Sequence, residues 1–169
     1  MPTIMVRRAT AIYPGSFDPV TNGHLDIIER GRKVFKHVIV SVAVNAQKQS
    51  FFSVEERLEM LRQVTQQWEN VAVDTFEGLL VNYAVEKNAG VILRGIRAVS
   101  DYEYEFQMAL MNRSLESNVE TVFMVPAGTY SYLSSSLVKE VFGLGGSVSG
   151  LVPAVVEESM KKKAPAITD

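Results

Sequence analysis

Apolar residues recur along the chain in two alternating rhythms. Short runs rich in β-branched residues read as buried strands: Ala9 to Tyr13, Val38 to Val44, Val71 to Thr75, Val91 to Leu93 and Thr121 to Val125. Between them the spacing lengthens to a helical period. Helices are predicted over Asn22 to Phe35, with Leu25, Ile27 and Ile28 on the apolar side, and from Ser53 to about Gln67. Others follow over Gly78 to Lys87, from Ser100 to about Leu115, over Ser134 to Phe142, and from about Pro153 to Lys163. Ser53 followed three residues later by Glu56 makes a capping box, and Asn88 to Gly90 offers a left-handed stop.

A strand–helix–strand repeat of this kind gives parallel strands joined by right-handed crossovers. Strands that are apolar throughout belong to a sheet covered on both faces. The expected fold is therefore α/β: a single-domain, Rossmann-like, doubly wound fold with a five-stranded parallel sheet. The 169 residues fit one domain over 1–169, with residues 1–7 as an N-terminal extension and 164–169 as a frayed tail. In such folds ligands bind beyond the carboxyl ends of the strands, where strand order reverses. The segments to inspect follow Tyr13, Val44, Thr75, Leu93 and Val125.

Composition changes this picture little. Apolar residues make up 47% and charged residues 21%, as in ordinary globular proteins. A net charge of −2 does not favour a nucleic-acid partner. The absence of cysteine excludes disulfides and thiolate metal sites. No apolar run approaches a membrane span, and Met1 to Arg8 lacks the apolar stretch of a secretory signal. The expectation is a cytoplasmic protein with neither a nucleic-acid nor a membrane partner.

The post-strand segments carry the candidate chemistry. The first runs from Pro14 through Gly15, Ser16, Phe17 and Asp18 to Thr21-Asn22-Gly23-His24, where a helix opens. It lacks the glycine pattern of dinucleotide sites and the lysine of a P-loop. A helix start points free N–H groups and positive potential at an anion, and His24 in the first turn can donate to a phosphate oxygen. The last segment leads through Tyr130, Ser131, Tyr132 and Leu133 into Ser134-Ser135-Ser136 and another helix start. The fourth holds Arg94-Gly95-Ile96-Arg97; the two guanidiniums suit phosphate, or pair with Asp101, Glu103 or Glu105. Lys48 follows the second strand. Each group alone has a bland reading as a turn, a cap or a solvated charge. Together they fall where the fold places its crevice, which indicates a site for several phosphates without specifying the reaction.

Thr21-Asn22-Gly23-His24 resembles the T/H-x-G-H signature of the nucleotidyltransferase superfamily, and Ser134-Ser135-Ser136 its serine-bearing second signature. Within that superfamily, Ala11 to Pro19, Leu93 to Glu105 and Ser134 to Val141 resemble the phosphopantetheine adenylyltransferases, over nearly the whole chain. That resemblance implies AMP transfer from ATP to 4′-phosphopantetheine, giving dephospho-coenzyme A and pyrophosphate. It implies catalytic roles for His24, Ser16, Lys48 and Arg97, and acceptor contacts from Ser16, Lys48, Leu80 and Arg94. It implies ATP contacts from Ser16, Phe17, His24, Gly95, Ile96, Arg97, Glu105 and Tyr130 to Ser136, that is Tyr130, Ser131, Tyr132, Leu133, Ser134, Ser135 and Ser136. It also implies Mg²⁺ held mainly through ATP, without protein metal ligands, and a homohexamer. Ser16 and Leu133 stand where the family more often has threonine and isoleucine. Sister transferases acting on nicotinamide mononucleotide or glycerol phosphate, a non-catalytic ATP-binding module and an RNA-binding protein are the rival readings.

Overall fold

A computed structural model describes residues 9–45 and 49–164. Five strands, β1 (Thr10–Gly15), β2 (His37–Ala43), β3 (Val71–Phe76), β4 (Val91–Gly95) and β5 (Glu120–Met124), form one sheet in the order β3-β2-β1-β4-β5. Every pairing is parallel. Six helices accompany them: α1 (Asn22–Val34), α2 (Val54–Thr65), α3 (Leu80–Glu86), α4 (Val99–Leu115), α5 (Ser135–Gly143) and α6 (Ala154–Lys163). The expected α/β class and five-stranded parallel sheet are both present.

Alternation along the central strands divides the core in two. Ala11 and Tyr13 of β1, Val38, Val40 and Val42 of β2 and Leu93 of β4 are buried with Ile27 and Ile28 of α1, Met60 and Leu61 of α2, Val138 of α5 and Val156 and Met160 of α6. Ile12 and Ile92 point the other way and pack with Val81, Tyr83 and Ala84 of α3. Both faces are covered, which is why these strands carry no polar face. Gly31 lets α1 lie close to the sheet: a Cβ there would come within 2.9 Å of Leu93 Cδ2.

Two helix starts share one device. Ser53 Oγ accepts the Glu56 N–H at 3.2 Å while Glu56 accepts the Ser53 N–H at 2.7 Å, the expected capping box of α2. At α1, Thr21 Oγ1 accepts the His24 N–H at 3.3 Å and His24 Nδ1 accepts the Thr21 N–H at 3.0 Å. Histidine thus takes the role glutamate usually plays in the box, which the sequence pattern did not suggest.

Several details differ from the sequence reading. β4 runs two residues beyond Leu93, because Arg94 and Gly95 pair with Phe123 and Met124 of β5. Both residues therefore start from sheet backbone rather than from a loop. A 3-10 turn at Gly128–Tyr130 precedes α5 and was not anticipated. Ala164 was assigned to the frayed tail, yet its N–H donates to Met160 O at 3.0 Å and closes α6. The extension 1–7 and residues 165–169 lie outside the described residues.

Candidate active site

Strand order reverses between β1 and β4, each of which has its next neighbour on the opposite side. A cavity of about 300 Å³ opens there, within the range of small-molecule sites. Ser16 and Phe17 reach it from the end of β1, Gly23 and His24 from the first turn of α1, Arg94, Gly95 and Arg97 from the end of β4, and Tyr130, Leu133, Ser134, Ser135 and Ser136 from the start of α5. Two helix N-termini thus face one cleft, joined by two arginines. The fold alone explains the convergence of segments separated by up to 120 positions in sequence.

His24 has a defined tautomer. Its Nδ1 accepts the Thr21 backbone N–H, which can only donate, so Nδ1 carries no proton and Nε2 does. Thr21 Oγ1, 3.1 Å from Nδ1, can donate its own proton to the same atom. Phe17 packs edge-on against the imidazole at 5.0 Å between centroids. Burial, followed by the positive charges of Arg97 and Arg94, pushes the His24 pKa down to about 4. At neutral pH His24 is an uncharged donor through Nε2–H.

The arginines are held by carboxylates and lean on backbone. Arg94 Nε donates to Glu105 Oε2 at 2.8 Å, Nη2 to Oε1 at 2.5 Å, and Nη1 to Pro14 O at 2.9 Å. Burial opposes the Arg94 charge, and the Glu105 carboxylate outweighs it, holding the guanidinium above its ordinary pKa. Arg97 donates to Asp101 Oδ2 at 3.1 Å and to Leu133 O at 2.9 Å. Ion pairing and pocket lining, alternatives in the sequence, hold simultaneously. A guanidinium has five N–H groups, so each arginine keeps donors for a ligand after these bonds are made.

Several expected residues stand differently. Phe17 lines the cavity but is 1% exposed as a whole residue, and its ring belongs to the core. Glu105 lines the cavity, with both oxygens on Arg94. Ile96, Ser131 and Tyr132 do not line the cavity: the Ile96 N–H donates to Met124 O, Ser131 Oγ to Gly128 O, and Tyr132 is exposed. Leu80 opens α3 and packs on the opposite face of the sheet with Ile12 and Ile92. Lys48 lies outside the described residues. Among the described residues, no group of three or more His, Cys, Asp or Glu side chains could hold a metal ion.

The sequence reading missed Tyr13, Pro14, Thr21, Ile27, Asp101 and Pro126 as lining residues. Only Thr21 and Asp101 had a local signal: a cap three residues before His24, and an acid one helical turn after Arg97. Asp18 was missed as a fastener. Its carboxylate accepts the Phe51 and Phe52 N–H groups at 2.9 and 2.8 Å and Lys139 Nζ at 3.1 Å. These bonds hold its pKa below the usual carboxylate range despite burial. The β1–α1 loop, the entry to α2 and helix α5 are thereby tied at one point.

Comparison with known proteins agrees with this geometry. The Cytidylyltransferase-like family model matches residues 12–141. The phosphopantetheine adenylyltransferase of Geobacter metallireducens is 54% identical over 156 residues, covering 92% of this chain and 96% of the relative. That of Desulfosudis oleivorans is 56% identical over 153 residues, 90% of this chain and 91% of the relative. That of Clostridium novyi is 59% identical over 143 residues, 85% and 89% respectively.

Proposed function

This chain belongs to the cytidylyltransferase-like family and, within it, to the phosphopantetheine adenylyltransferases, and from that premise we propose that it transfers AMP from ATP to 4′-phosphopantetheine. The products are dephospho-coenzyme A and pyrophosphate, and the step is the penultimate one of coenzyme A synthesis. The observation that carries the reading is the convergence of His24, Arg94, Arg97 and the Ser134–Ser136 helix start on one cleft at the β1–β4 reversal.

An oxygen of the acceptor phosphate attacks the α-phosphorus of ATP. A new P–O bond forms, the bond from the α-phosphorus to the bridging oxygen breaks, and its electron pair leaves with pyrophosphate. The acceptor monoester has a second pKa of about 6 and is largely a dianion at pH 7, so no general base is needed. The protein's work is positioning and charge stabilisation. Arg94, oriented by Glu105 and Pro14 O, receives the acceptor phosphate, with Ser16 and Lys48 completing that side. Phe17, Gly95, Arg97, Tyr130, Leu133 and Ser134 to Ser136 face the nucleotide. His24 Nε2–H donates to the phosphoryl oxygens as charge builds on them. Mg²⁺ enters as part of the MgATP substrate, since Asp101 and Glu105 are already engaged by arginines.

Pyrophosphate release, measured with ATP and each acceptor in turn, tests the function. It is expected with 4′-phosphopantetheine and not with nicotinamide mononucleotide or glycerol phosphate. ATP binding without acceptor-dependent release would sink the assignment.

The pH dependence follows from the His24 environment. The profile of kcat/KM reports free enzyme and free substrate. In the free enzyme His24 stays neutral down to about pH 4, whereas the acceptor loses its second charge as pH falls through about 6. The acid limb near pH 6 is thus expected to belong to the acceptor. A fluorinated phosphonate analogue with a lower second pKa should carry that limb to lower pH. A limb fixed near 6 for every acceptor would assign it to the enzyme instead.

The proposed assembly is a homohexamer, and α4 supports an extended self-contact. Its inward residues include the polar Glu105 and Asn112, while Val99, Tyr104, Leu110, Met111 and Leu115 are each more than half exposed. An apolar surface of this kind marks an interaction site. Light scattering should give the mass of six chains; a monomeric mass would refute the assembly. The enzyme is placed in the cytoplasm with its ATP supply, which cell fractionation checks; no helix among the described residues is long and apolar enough to cross a membrane.

A further inference from the structure

Arg57, on α2, lies outside the cleft and is 5% exposed. Among the described residues it has no carboxylate partner. Its Nε donates to Ser53 O at 3.2 Å and its Nη1 to Ser16 O at 2.8 Å. A buried charge without a counter-ion is unfavourable unless the surroundings need it. What this one touches is the loop that ends β1. A small cavity beside Arg57 shares Ser16, Ser135 and Ser136 with the main cleft, so the charge sits directly behind the phosphate-facing wall.

The clamped peptide is an unusual one. Phe17 has φ of 45°, the left-handed region that non-glycine residues rarely occupy. Such a conformation persists only where neighbouring structure over-determines it. Here the Phe17 ring is locked in the core against Tyr13 and His24, and the preceding carbonyl is held by Arg57. The Ser16–Phe17 bond is trans, which sets its N–H opposite its C=O. With the carbonyl on the Arg57 side, the Phe17 N–H is directed away from Arg57. Phe17 lines the main cleft and not the cavity beside Arg57, and its N–H has no partner among the described residues.

We propose that Arg57 is a positioning residue: by gripping Ser16 O it fixes the Ser16–Phe17 peptide so that the Phe17 N–H serves as a preset donor to the nucleotide phosphates. The inference rests on the proposed transferase function. A charge-assisted bond to the carbonyl also polarises the same peptide and strengthens its N–H as a donor. Arg57 touches no substrate itself.

Arg57→Lys and Arg57→Gln test this in the full-length protein, assayed below their melting midpoints. Lysine keeps the charge and loses the fork that reaches Ser53 O and Ser16 O together. Both variants are expected to lose roughly tenfold or more in kcat/KM for ATP, on the scale of one charge-assisted donor, while the KM for phosphopantetheine changes less than about twofold. With ¹⁵N-phenylalanine labelling, a nonhydrolysable ATP analogue should shift the Phe17 amide strongly in the wild type and weakly in Arg57→Lys. This second readout does not depend on turnover. Wild-type kinetics in Arg57→Lys, equal losses for both substrates, an unaltered Phe17 shift, or collapse of both variants would each overturn the proposal and leave Arg57 a purely structural residue. A wild type that releases no acceptor-dependent pyrophosphate would instead refute the parent function, so the two failures are distinguishable.

Discussion

Replacing His24 with alanine is expected to lower kcat by about a hundredfold or more while ATP affinity changes by only a few-fold. The asymmetry follows from the protonation state. With Nδ1 committed to the Thr21 N–H, the imidazole presents a neutral Nε2–H donor to the cleft. A neutral donor gains little from a ground-state phosphate whose charge arginines already balance. It gains more as negative charge accumulates during transfer, and only that increment raises turnover. Loss of one such donor costs roughly 3 kcal/mol in activation free energy. The structural cost should be smaller, because the Thr21 Oγ1 cap on the residue-24 N–H survives the substitution; a lost cap interaction costs about 1 kcal/mol. Turnover, ATP affinity by calorimetry and a melting curve on the same variant separate these terms. An unchanged turnover number would remove His24 from the mechanism.

Arg94→Lys is expected to weaken phosphopantetheine binding by roughly ten- to hundredfold and ATP binding far less. Arginine here makes three directed bonds at once, two to Glu105 and one to Pro14 O, and still has N–H groups left for a ligand. A lysine ammonium has three donors on one atom and cannot hold Glu105 bidentately, reach Pro14 O and meet a phosphate together. Hydrogen bonds to charged groups are worth roughly 1.5–3 kcal/mol each, which sets the expected range. The conservative substitution is informative because it leaves Glu105 with a cation and avoids an uncompensated carboxylate that is only 11% exposed. Titrating each ligand separately decides the matter. Equal weakening of ATP and acceptor would contradict placing Arg94 on the acceptor side.

The sequence by itself determined the layer architecture. The two periodicities report local backbone and burial on a scale of a few residues, and they located all five strands and six helices to within a few positions. The capping box at Ser53 and the left-handed residue at Asn88, with φ of 50°, were legible for the same reason: each is a contact or a torsion within four residues. The rule that ligands sit beyond strand ends then selected His24, Arg94, Arg97 and the serines.

Tertiary structure decided what those residues do there. The order β3-β2-β1-β4-β5 brings Pro14 beside Arg94, and no local pattern encodes that juxtaposition. Three-dimensional contacts alone commit Glu105 to Arg94, Asp18 to the Phe51 and Phe52 amides, and Arg57 to Ser16 O. Phe17 was expected to contact ATP with no choice between ring and backbone, and folding puts its ring in the core, because a hydrophobic ring next to a functional loop looks the same in sequence whichever way it turns. The protonation of His24 needed both levels: Thr21 three residues away fixes its tautomer, while burial and the long-range charges of Arg97 and Arg94 depress its pKa. Short-range hydrogen bonding can be read from neighbours in the chain. Desolvation and through-space charge depend on what folding packs around the group.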